Sequence, residues 1–89
     1  MLDLPAVVTH DQALAVAQSL SSQVVSQKDD VVLNVSALRQ FDSSALAVML
    51  ASRRAALAAG KTFALRGLPP NLAQLARLYG VTDLIPPAA

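Results

Sequence analysis

The sequence predicts an α/β fold with a mostly parallel central sheet and about three helices. Three observations carry the prediction. Short β-branched or apolar runs alternate with segments whose apolar residues recur every three or four positions. The two sharpest runs, Val31-Val32-Leu33-Asn34-Val35 and Thr62-Phe63-Ala64-Leu65, are separated by one such helical segment. A strand–helix–strand order needs a crossover, which is right-handed and leaves the two strands parallel.

Taken in order, Leu4 to Val8 is β-compatible, with Pro5 favouring an edge or an early strand position. Thr9-His10-Asp11-Gln12 reads as a capping box, a Thr followed three residues later by Gln. Ala13, Val16, Ala17, Leu20 and Val24 then recur at helical spacing, so a helix should end near Ser26. Lys28-Asp29-Asp30 is a polar turn. Val31 to Val35 is the strongest strand, apolar on both faces, as suits a central strand covered on one or both sides.

Ser36 to Phe41 is expected to be a connecting loop, and Asp42-Ser43-Ser44 opens the next helix. That helix runs through Leu46, Met49, Leu50, Arg53 and Leu57 and stops at Gly60, a residue suited to the left-handed turn after a helix. The second strand follows at Thr62 to Leu65. Pro69-Pro70 leads into a third helix over Asn71 to Tyr79, where a proline in the first turn forfeits no hydrogen bond. Gly80 ends it, and Val81 to Ile85 precedes Pro86-Pro87.

A length of 89 residues suits a single domain spanning 1–89. A chain of this size buries roughly 60–65% of its unfolded surface, so its core is lean. Hydrophobic residues make up 54% of it, but many are Ala, and Phe41, Phe63 and Tyr79 are the only aromatics. Leu, Val and Ile must therefore supply most of the buried area, and the apolar excess points to a surface that meets a partner.

Composition also excludes classes of function. A net charge of +1 with dispersed basic residues offers no footprint for nucleic acid, and so few aromatics give no stacking platform. Without cysteine there is no disulfide, thiolate metal site or cysteine nucleophile, which fits a reducing compartment. The apolar run Ala45 to Ala51 is too short to span a bilayer, and the N-terminus lacks a signal-peptide pattern. The expected setting is the cytoplasm.

His10 is the only histidine; at the start of a helix it reads as a solvated or capping residue. There is no Glu, and the six Asp have no metal-ligand spacing. Three scattered glycines make neither a phosphate-binding loop nor a dinucleotide fingerprint. No catalysis, metal or cofactor is expected.

Asp42-Ser43-Ser44 stands out because function in open α/β sheets gathers where strands end and helices begin. Asp and Ser are preferred caps there, which is reading enough by itself. The alternative is an exposed serine at a helix start, where a phosphoryl group would meet free N–H groups. The helix itself, apolar nearly all round from Ala45 to Ala51, is either wholly core or core on one side and docking surface on the other, with Met49 an adaptable contact.

The strand Val31–Val35 followed by Phe41-Asp42-Ser43-Ser44-Ala45-Leu46-Ala47-Val48-Met49-Leu50 resembles the signature of STAS domains (sulfate transporter and anti-sigma factor antagonist). Gly60 to Gly67 and Leu75-Ala76-Arg77-Leu78-Tyr79-Gly80-Val81 fall where that family has its next strand and final helix. The resemblance implies the STAS-like fold, lacking the usual first strand before Leu4. It also implies an open sheet edge through which a homodimer could form. Ala45 stands where the motif usually has Gly.

The ending of the chain looks most like the MlaB branch, the STAS subunit of the Mla phospholipid ABC transporter. That branch implies a non-enzymatic accessory subunit, peripheral on the inner membrane, that binds the transporter's ATPase subunit in maintaining outer-membrane lipid asymmetry. The alternative branch, anti-sigma factor antagonists, implies a kinase-like anti-sigma factor as partner and phosphorylation at Ser43. The surface expected to meet the partner is the N-terminal end and outer face of helix 44–59, with Phe41, Asp42, Ser43, Ser44, Leu46 and Arg53.

Overall fold

In the computed structural model, residues 2–28 and 30–86 are described; Asp29 of the expected turn and Pro87 lie outside that range. The elements in order are β1 (Leu2–Asp3), β2 (Val7–Val8), α1 (His10–Ser26), β3 (Val31–Asn34), β4 (Gln40–Phe41), α2 (Ser44–Ala58), β5 (Phe63–Arg66), α3 (Pro70–Leu78) and a 3₁₀ turn (Thr82–Leu84). The three strand pairs among the described residues are all parallel. One sheet has the order β1-β3-β5, and β2 pairs with β4 beside it.

Two expectations are corrected. The stretch Leu4–Val8 is not one strand: Pro5 lies between β1 and β2, which join different sheets. Proline cannot donate to a ladder, so the chain changes partner there. The expected loop Ser36–Phe41 ends in a strand, β4, in register with β2 through Val7 with Gln40 and Val8 with Phe41. Two residues are too few for a periodicity to show.

Parallel register sorts the strand side chains into rows. Leu2, Leu33 and Leu65 align across the sheet and are buried, with Val31 and Phe63 alongside. On the opposite face Asp3, Asn34 and Arg66 align, and the Asn34 amide donates to Asp3 at 2.9 Å. The central strand is therefore fully covered on one face and partly on the other, where Val32 and Asn34 are half-buried. Its continuous apolar run concealed this alternation, because Val32 is apolar on the less covered side.

One core joins the sheet to the helices. α1 contributes Leu20 and Val24, α2 Ala45, Leu46, Val48, Met49 and Ala56, and α3 Leu72 and Ala76. Ser52 is the one buried polar side chain among the described residues, and its hydroxyl donates to the Val48 carbonyl at 3.0 Å, so it is satisfied within the helix. Pro70 occupies the first position of α3, as the sequence implied.

Two contacts fix the ends of the elements. The Lys61 ammonium donates to the carbonyls of Val24 (2.8 Å) and Gln27, which places a cation at the C-terminus of α1. Gly67 follows β5 with φ +75°, and a Cβ there would lie 2.7 Å from the Ser36 Cβ. The loops after β3 and β5 can approach this closely only because position 67 has no side chain. The far edge of β5 is partly covered, since the Leu65 N–H donates to the Pro86 carbonyl at 2.8 Å.

Candidate functional site

The β2–β4 pairing sets two strand–helix units side by side. The Ala6 carbonyl accepts from the N–H groups of Arg39 (2.8 Å) and Gln40 (3.0 Å), so α1 and α2 begin next to one another. Each helix start carries backbone donors with no partner inside its own helix. Asp42 satisfies one from each. Its Oδ1 accepts from the Ser44 N–H at 2.8 Å, and its Oδ2 from the His10 N–H at 3.0 Å.

These contacts hold the Asp42 carboxyl below its ordinary value of 3.8. The Ser44 N–H is the largest cause; partial desolvation opposes it, and the His10 N–H, the Ser44 hydroxyl and the charge of the His10 ring add to it. Hydrogen bonds to the ionised form favour that form. The start of α1 has its own lock, the Gln12 side-chain oxygen accepting from the Thr9 N–H (3.0 Å) and hydroxyl (2.6 Å). The capping box read from the sequence is present.

This geometry divides the labour within Asp42-Ser43-Ser44. Asp42 is the residue that caps. Ser43 already has helical angles (φ −61°, ψ −17°), makes no capping hydrogen bond, and is exposed. Its hydroxyl is therefore free to meet something outside the chain. Ser44 is half-buried against Asp42, and Phe41 is half-buried against the core. Ala45, in place of the motif Gly, is fully buried, its methyl group accommodated in the core.

The remaining expected residues separate. Leu46 is 4% exposed and Met49 fully buried, so both are core residues that support the site from beneath and neither is a surface contact. In the first turns of a helix that crosses over a sheet, these positions face inward. Arg53 is half-buried about 15 Å along the helix from Ser43, in a groove with Leu50, Arg54, Leu57, Ala58 and Leu84. Leu84 comes from the 3₁₀ turn, and no local signal ties it to α2. Leu50 and Leu57 were readable, since with Arg53 and Arg54 they share one helix face.

His10 is exposed and takes part through its backbone N–H. Among the described residues no group of three or more His, Cys, Asp or Glu could hold a metal ion, and no helix is long and apolar enough to cross a membrane. The arrangement offers an exposed hydroxyl at a rigid helix start and a half-covered helix face behind it. Those are elements of a contact surface.

A family model described as "Mlab, STAS domain" matches residues 1–86. No curated protein matches the chain.

Proposed function

The chain belongs to the MlaB-like STAS domain family, and from that membership we propose that it is an accessory subunit that binds the ATPase of an ABC-type phospholipid transporter. STAS domains are generally binding domains and not catalysts, and this chain is read as non-enzymatic: its lone His10 is exposed at a helix start. The observation that carries the reading is Ser43, exposed at the front of α2 and free of capping, with Asp42 holding the two helix starts around it. A site so fixed loses little conformational entropy when a partner seats on it.

In this reading Ser43 is a contact residue, and its small size matters more than its chemistry. The test is recovery of the tagged chain from solubilised membranes of its native host, with partners identified by mass spectrometry. Wild-type chain is expected to bring down an ABC ATPase with its permease. Ser43→Ala should retain the complex, and Ser43→Lys should weaken it about tenfold by placing a long cation in the contact. Equal recovery by Ser43→Lys would remove Ser43 from the interface.

One observation favours a second reading. The same free Ser43 hydroxyl could accept a phosphoryl group, which Asp42 next to it would repel, changing the charge and shape of the helix start. In that reading the chain is an anti-sigma factor antagonist. Recovery of a soluble kinase-like protein, with phosphate on Ser43, would select it.

A further inference from the structure

After α3 the chain folds back on the sheet and encloses a separate space. The Val81 N–H donates to the Ala76 carbonyl at 3.0 Å, which turns the chain. The Leu65 N–H donates to the Pro86 carbonyl at 2.8 Å, which ties the returning segment to the edge of β5. Between α3, that segment and the end of β5 lies a cavity of about 350 Å³. Ligands of open α/β sheets gather at the carboxyl ends of strands. No residue lining this cavity belongs to α2 or to Asp42-Ser43-Ser44.

We propose that this cavity binds a single-chain amphiphile with an anionic head, its aliphatic chain against Leu68, Ala73, Ala76 and Ile85 and its head on Arg66. The proposal stands apart from the partner reading above. Ala76 and Ile85 are 1% and 3% exposed, whereas Arg66 and Thr82 are exposed, so the aliphatic wall lies deep and the polar groups at the opening. An amphiphile has that same polarity. The volume lies at the small end of the ~300–1,000 Å³ usual for ligand sites, which suits a chain of medium length.

The lining decides the chemistry of the occupant. It offers no aromatic ring to stack a planar base and no acidic residue to hold a sugar hydroxyl, so a nucleotide is a poor fit. A peptide would bury amides that need partners, and Thr82 supplies the only side-chain hydroxyl in the lining. Arg66 is the only charged residue there. Its guanidinium can meet a carboxylate or a phosphate through two parallel hydrogen bonds, and both heads share that recognition. The space itself exists because α3 carries alanine at 73 and 76, one turn apart. A leucine at 73 would occupy it.

The test uses the whole chain with decanoate, decyl phosphate and uncharged decanol as probes. Ile85 is the only isoleucine, so its labelled δ1 methyl gives one NMR signal from inside the cavity. At least one of the two anions is expected to shift that signal saturably and to bind about tenfold more tightly than decanol. Tighter binding of decanoate would point to a fatty acid, and of decyl phosphate to a phospholipid fragment. Arg66→Gln should weaken the bound anion about tenfold and leave decanol unchanged. Ala73→Leu should abolish binding of all three probes. Arg66 is exposed, so its variant keeps the wild-type thermal midpoint and decides the question should Ala73→Leu fail to fold.

An Ile85 methyl signal that moves with neither anion would overturn the proposal. Equal affinity for decanol and the anions, or wild-type affinity for both anions in Arg66→Gln, would do the same. So would shifts spread evenly over the signals of α1 and α2, which mark adsorption to the surface at large. Any of these failures leaves the accessory-subunit reading standing, because that reading rests on Ser43 and is tested by recovery of the ATPase.

Discussion

Asp42 concentrates more of the structure than any neighbouring residue, because its two oxygens serve two different helices. Its lowered pKa gives a signed prediction. The carboxylate stabilises the fold fully above the unfolded value near 3.8, and this contribution is lost as pH falls through the lower folded value. Asp42→Asn should therefore be less stable than wild type in urea at pH 7, with the gap closing progressively below about pH 4. A gap that is constant from pH 7 to pH 2.5 would show that charge is not what matters at this residue. Glycine supplies the second residue-scale contrast. Gly60 and Gly67 both have φ +75°, but a Cβ meets nothing at Gly60 and the Ser36 Cβ at Gly67. Gly60→Ala should cost about 1 kcal/mol from the left-handed backbone alone. Gly67→Ala should cost about 1–3 kcal/mol more from overpacking, measured by equilibrium unfolding. The sequence named Asp42 and Ser43 but could not divide their roles: either residue type caps a helix, and only the three-dimensional position of the His10 N–H makes Asp42 the one that does.

At the scale of elements, the helices were legible and the short strands were not. α1, α2 and α3 each show their inward positions at 3.6-residue spacing and carry a cap, a proline or a glycine at an end, so their limits agree with the sequence reading to within one or two residues. β1, β2 and β4 are two residues each and owe their existence to partners about thirty positions away. The Lys61 contact was hidden for the same reason, being local in space and distant in sequence. It links the start of the β5 segment to the end of α1, where an ammonium group complements the partial negative charge of the last carbonyls. Lys61→Met should lower stability by about 0.5–1 kcal/mol and speed amide hydrogen exchange in the last turn of α1, with α2 unaffected. Uniform exchange through both helices would indicate global destabilisation and not a lost cap.

Across the whole molecule, the fold class followed from the alternation of strand and helix patterns, because each crossover restricts the topology far more than any one residue does. The surface did not follow. Which side of α2 meets solvent, and that Leu84 completes a groove on it, depends on how the turn after α3 returns to the helix. The unequal cover of the sheet's two faces was likewise masked by Val32. The parallel register described above also bears on how the chain is made. Among the described residues no strand has its neighbour within reach of a tight hairpin: Leu2 aligns with Leu33, and Val31 with Phe63. Each pairing must close a long loop before its contacts form, which slows folding relative to a chain of hairpins. During synthesis α1 can coil as soon as it emerges, but β1 waits for Asn34, and the central strand lacks its second neighbour until Arg66 has left the ribosome.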